Sequence, residues 1–126
     1  VVSMAGAAAA MSEMLSEAKL SQLFARGESL RSRLNDLFRV STLPLSVTGV
    51  GSMMAIHTVD GPINGPHDLE TSDHELRQLL FHELLHRGCY IAARGFIALS
   101  LDITDEQCDT FVGAMSEAID SISPSN

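Results

Sequence analysis

A stripe of large apolar side chains at helical spacing, from Leu20, Leu23 and Phe24 through Leu30 and Leu34 to Leu37 and Phe38, runs along residues 19–39. It constrains the fold more than any other feature, because a helix apolar along one side must bury that side against a partner. Arg31, Arg33 and Asp36 lie off the stripe. Pro44 closes the helical region, and the partner follows at once. Residues 45–50 and 52–58 read as two short neighbouring β segments pivoting at Gly49 and Gly51. The stripe is therefore expected to face a sheet.

The rest of the chain continues this alternation. Alanines with Met4, Met11 and Leu15 at helical spacing predict a close-packing helix over 3–16. Asp60 to His67, with Gly61, Pro62, Gly65 and Pro66, has the composition of a surface loop. Ser72-Asp73-His74-Glu75 reads as a capping box with Ser72 at the N-cap, opening a helix over 73–87 that stops at Gly88. Its apolar side is Leu76, Leu79, Leu80, Leu84 and Leu85. Residues 89–92 and 97–101 are expected as β segments around Ala93-Arg94-Gly95. Thr104-Asp105-Glu106-Gln107 is a second capping box, opening a helix over 105–120 that ends before Pro124. The expected architecture is α+β, a small mainly antiparallel sheet packed against about four helices. With 126 residues and 45% hydrophobic content, residues 1–126 are expected to form a single small domain.

Charge narrows the possible partners. Sixteen acidic against eight basic residues leave a formal charge of −8, which disfavours nucleic acid and anionic lipid. No apolar run reaches the roughly 20 residues of a membrane span, and the Ala-rich opening lacks the layout of a signal peptide. A soluble, untargeted protein is expected. Cys89 and Cys108 are too few for a disulfide framework and read as core residues in a reducing cytosol. The chain opens Val1-Val2-Ser3-Met4, with no initiator methionine, and enters a helical pattern immediately, as a piece of something longer would.

One motif invites a metal reading. His82-Glu83-Leu84-Leu85-His86 matches H-E-x-x-H on a predicted helix, where two histidines one turn apart hold zinc and the glutamate serves as general base. The pattern is short, no convincing third ligand is marked, and a helix rich in Glu, His and Leu produces it by chance. On the competing reading the two histidines and Glu83 lie on a solvated face while the leucines pack. His57 in a strand and His67 in the loop read as hydrogen-bonded or exposed histidines. The acidic stretch Asp60, Asp68, Glu70 and Asp73 lacks the order of a calcium loop and reads as solvated surface.

Several segments, in order, resemble one family. Val2-Ser3-Met4-Ala5-Gly6 followed by alanines resembles the helix that leads into the small domain of class-III aminotransferases. Gly27-Glu28-Ser29-Leu30-Arg31 and Leu34-Asn35 fit the family's second helix. Val47-Thr48-Gly49-Val50-Gly51-Ser52-Met53-Met54 resembles its V-x-G-x-G-S-M-F strand pair, and Phe81 to Tyr90 its F-x-x-x-L-L-x-R-G-V-Y segment. Ser100 and Thr104-Asp105-Glu106 match the closing strand and helix cap. The chain is thus similar to the C-terminal small domain of glutamate-1-semialdehyde aminotransferases and of aminotransferases acting on β-amino acids. It departs from the former at Asp102-Ile103-Thr104, where that pattern usually closes with A-H-T.

The resemblance implies a pyridoxal-phosphate enzyme whose cofactor-bonding lysine, and the acid facing the pyridine nitrogen, lie in a large domain outside this chain. Lys19, the chain's one lysine, does not match the catalytic motif. No catalytic, cofactor-binding or metal residue is therefore assigned here, and the isolated chain is expected to be inactive. Arg94, in Ala92-Ala93-Arg94-Gly95-Phe96, resembles the R-G-F stretch in which an arginine at the cleft edge reads a substrate carboxylate. The implied partners are the chain's own large domain, a second subunit of a homodimer and an amino-acid substrate, in the cytoplasm. Two other classes stand beside this one: a zinc hydrolase working through His82, Glu83 and His86, and a non-catalytic interaction module.

Overall fold

The computed structural model describes residues 1–123, so the expected stop at Pro124 lies outside the described residues. The long stripe forms helix α2, Glu17–Val40. Ser16 caps it, its hydroxyl accepting the Lys19 N–H at 3.3 Å. Leu30, Leu34 and Phe38 are buried on one side, as the stripe requires.

That side meets a three-stranded sheet in the order β1 (Ser46–Val50), β2 (Met53–His57), β3 (Phe96–Ala98), antiparallel throughout. Val50 faces Met53 across a two-residue turn at Gly51-Ser52. Gly51 takes φ +55 there, which suits a glycine in the first central position of a tight hairpin. The helix approaches this turn backbone to backbone: a Cβ on Gly27 would stand 1.9 Å from the Gly51 carbonyl oxygen. Glu28 adds a carboxylate that accepts the Gly51 N–H at 2.8 Å. Two turns further on, Asn35 imitates a strand, its amide donating to the Val47 carbonyl and accepting the Val47 N–H, both at 3.3 Å. The outer edge of β1 is thereby partly satisfied.

Two more helices complete the core. In α3, His74–His86, Leu76, Leu80 and Leu84 are buried; in α4, Asp105–Ile122, Cys108, Met115, Ala118 and Ile119 are. They share one cluster with Val47, Met54, Ile56 and Ile97 from a single face of the sheet. Thr104 opens α4 with the expected reciprocal cap: its hydroxyl accepts the Gln107 N–H at 3.1 Å and its own N–H donates to the Gln107 side chain at 3.0 Å. Gly88, at φ +78, stops α3, with the Cys89 N–H reaching back to the Leu84 carbonyl at 2.9 Å.

Four sequence expectations need correction. The helix expected over 3–16 is α1, Val2–Ala9, continued by a π-helical stretch Ala10–Met14, and none of its residues is buried. Small side chains permit close packing, but within the described residues nothing lies against them to be packed. Asp73, not Ser72, caps α3, its carboxylate accepting the Leu76 N–H at 2.9 Å. Asp73 holds that position because its N–H donates to the Thr58 carbonyl at 3.0 Å while its own carbonyl accepts the buried Thr58 hydroxyl at 2.6 Å. Residues 89–92 form no strand: Ile91 is buried, but the chain turns at once through Ala92–Gly95. The last strand is Phe96–Ala98 rather than 97–101, because the chain bends again at Leu101-Asp102.

Candidate functional site

The Arg94 turn is built from both sides. Ile91, 8% exposed, anchors one end in the core. The Gly95 N–H closes the turn onto the Ala92 carbonyl at 2.8 Å, and the Ala92 N–H reaches the Phe96 carbonyl at 3.3 Å. Gly95 is buried at φ +86, and a Cβ there would lie 2.3 Å from the Ile56 carbonyl oxygen. Its own carbonyl accepts the Ile56 N–H at 2.9 Å. Only glycine fits such an approach, so the turn is clamped to β2. Arg94 stands exposed at its tip, and the ion pairs and side-chain hydrogen bonds among the described residues do not include it.

The H-E-x-x-H motif does lie on a helix, α3, with His82 and His86 exposed. Glu83 is engaged elsewhere. Arg87 binds its carboxylate and holds its carboxyl below the ordinary carboxylate range, and the same guanidinium reaches Glu117 on α4 at 3.4 Å. A carboxylate already paired with an arginine that is itself anchored to α4 is poorly placed to be a general base. Among the described residues, no group of three or more His, Cys, Asp or Glu side chains stands together as a metal site.

The remaining candidates separate in space. His57, half-buried in β2, bonds the Thr48 hydroxyl through Nε2 at 2.8 Å; burial first, and the Arg77 charge second, lower its pKa. His67 is exposed and lies 3.0 Å from Glu70. Within the acidic stretch, Asp68 accepts the Asn64 and Gly65 N–H groups at 2.8 and 3.0 Å, and Asp73 caps α3. These two carboxylates organise backbone. Cys89 and Cys108 do share a surrounding, an apolar cavity of about 340 Å³ between α2, α4 and the 88–91 segment, and burial pushes both thiols up. Protonated thiols there behave as core side chains.

Lys19 lies exposed on the first turn of α2, beside a shallow depression that also holds Arg26, Asp102 and Asp105. Arg26 is committed to Asp105 at 2.6 Å, and two carboxylates at the rim repel a phosphate. These residues do not fit pyridoxal phosphate.

No protein-family model matches the chain. Individual proteins do. A β-phenylalanine transaminase from Variovorax paradoxus is 39% identical over 119 residues, 94% of this chain and 27% of the transaminase. A glutamate-1-semialdehyde 2,1-aminomutase from Thermus thermophilus is 32% identical over 95 residues, 74% of this chain and 22% of that protein. The crystal structure of a β-phenylalanine aminotransferase from Variovorax paradoxus superposes with a TM-score of 0.89 at 38% identity, over 94% of this chain and 27% of that one. The fold alone is shared with a glutamate-1-semialdehyde aminomutase from Pseudomonas aeruginosa, at 16% identity and a TM-score of 0.83, over 95% of this chain and 27% of that one. Sequence and fold thus lead to one group of proteins, and the chain is a relative of the class-III pyridoxal-phosphate-dependent aminotransferases, spanning about a quarter of the length of those it matches.

Proposed function

We propose that this chain is the C-terminal small domain of a pyridoxal-phosphate-dependent aminotransferase or aminomutase, acting in the cytoplasm with its own large domain and a second subunit. One observation carries the reading: the 39% identity with the β-phenylalanine transaminase extends over 94% of the chain. Residues 1–126 act as one small domain, which shapes the substrate cleft while the covalent chemistry is done elsewhere. The single lysine supports this division, being exposed and flanked by carboxylates rather than enclosed. Nothing in α3 favours the zinc alternative, since Glu83 is held by Arg87.

Within the domain, Arg94 is the residue that recognises the substrate carboxylate. Its turn is rigid, its guanidinium is exposed, and a planar fork meets a carboxylate with two parallel hydrogen bonds at every working pH. A hydrogen bond to a charged group is worth about 1.5–3 kcal/mol. In the full-length enzyme, Arg94→Ala should therefore lower kcat/KM for amino acids by roughly ten- to a hundredfold. Amines without a carboxylate should be much less affected. Equal losses on paired amino-acid and amine substrates, or no loss on either, reject the role.

A further inference from the structure

The apolar cavity of about 340 Å³ that holds the two thiols has walls of a particular kind. Its floor is core: Leu30 of α2, Ile91, Ile97 of β3 and Cys108 of α4, each no more than 9% exposed. It lies on the helix side of the sheet, into which Ile97 points, opposite the face that carries Val50 and Met53. At its rim stand Phe111, half-buried, and Tyr90, 77% exposed and set edge-on to Phe81 with ring centres 6.1 Å apart. Two ion pairs, Arg26 with Asp105 at 2.6 Å and Arg33 with Asp109 at 2.8 Å, span α2 and α4 about one turn before and one turn after Leu30.

Among the described residues, no Asp, Glu, Lys, Arg or His lines the space. Its polar side chains already have partners: Gln107 accepts the Thr104 N–H at 3.0 Å, and the Thr110 hydroxyl donates to the Glu106 carbonyl at 3.0 Å. The two thiols are weak donors that burial keeps protonated. A charged guest would give up its hydration here and find nothing to replace it. An uncharged apolar guest loses little, and it supplies contacts that the walls of an empty cavity lack. Size narrows the choice further. An apolar cavity of about 150 Å³ takes a benzene ring, so this one has room for about two fused rings. The polarizable sulfurs of Cys89 and Cys108 suit an aromatic guest.

We propose that this cavity is a binding site for a small uncharged aromatic molecule, separate from the exposed tip of Arg94. Cys89 to Ile91 lead into the Arg94 turn and Ile97 to Leu99 lead out of it, so both stems of that turn form walls of the site. A bound ring therefore rests against the base from which Arg94 projects. The site needs no cofactor and does not depend on the enzymatic reading above.

Isoleucine methyl groups report on the site without any substitution. Of the chain's seven isoleucines, Ile91, Ile97 and Ile103 line the cavity, whereas Ile56 and Ile119 are buried elsewhere in the core. In the 126-residue chain carrying labelled isoleucine methyls, titration with indole should move the first three resonances saturably and leave Ile56 and Ile119 in place. Indole-3-carboxylate, the same ring system with a charge, should bind at least about tenfold more weakly. Absence of saturable shifts, or equal shifts at Ile56 and Ile119, overturns the proposal. Equal affinities for the two ring compounds overturn it as well. So does loss of the response in the full-length parent, where residues outside this chain would then occupy the space.

Discussion

Glu28 and Glu83 show how little a residue type says before its neighbours are known. Each carboxylate is bound by an arginine on its own helix, Arg31 and Arg87, and each has its pKa held below the ordinary 4.5. For Glu28 the larger cause is the Gly51 N–H, with Arg31 second. A carboxyl whose pKa is lowered in the folded state stabilises it above the unfolded pKa, and that contribution disappears as pH falls through the folded value. Glu28→Gln should therefore be less stable than the parent near neutrality, with the two curves converging as pH drops below 4.5. Chemical denaturation across that range measures this; parallel curves would remove Glu28 from the account. The H-E-x-x-H pattern was legible as a pattern, yet only the tertiary contact of Arg87 with Glu117 shows what Glu83 does. Likewise Thr104 was legible as a cap, because its reciprocal partner Gln107 lies three residues on. The choice between Ser72 and Asp73 was not, because both can cap and the decision belongs to Thr58, fourteen or fifteen positions earlier.

At the scale of elements, α2 and the hairpin are joined where neither has a side chain. Gly27 inside a helix costs about 1 kcal/mol relative to alanine by propensity alone. The contact decides the sign: a Cβ 1.9 Å from the Gly51 carbonyl oxygen cannot be accommodated without separating helix from turn. Overpacking of this kind typically costs about 1–3 kcal/mol, and here the clash is with backbone, which cannot rotate away. Gly27→Ala should thus destabilise the fold despite its better helix propensity, lowering the thermal midpoint; an unchanged or raised midpoint would show that the helix shifts freely. The stripe from Leu20 to Phe38 announced α2 and its need for a sheet. The third strand was placed less well, because residues 89–92 have strand composition but spend it on a turn whose geometry Gly95 and the Ile56 carbonyl impose. Helix α1 was legible as a helix but its packing was not, since alanines say that something can come close without saying what.

For the whole molecule, the proposed separation of binding from covalent chemistry makes a direct prediction. Incubated with pyridoxal phosphate and reduced with borohydride, the isolated 126-residue chain should show no stoichiometric modification of Lys19 on peptide mapping. The side chain is exposed, and Asp102 and Asp105 at the neighbouring depression disfavour a phosphate. Equimolar labelling accompanied by turnover would place catalysis inside this chain after all. The described residues contain no helix long and apolar enough to cross a membrane, and their exposed large apolar side chains are spread over one sheet face and the helices α1, α2 and α3. The sequence by itself determined the order and type of most elements, the apolar stripe of α2, the cap at Thr104, the stop at Gly88 and the family resemblance, because these depend on spacing within a few residues. Only the tertiary structure decided that Gly95 is pinned against β2, that Arg87 reaches Glu117 on α4, and that Val50, Met53 and Phe96 lie together on an uncovered face. Those facts join residues tens of positions apart, and no local periodicity records which face of a short strand its neighbours will leave open.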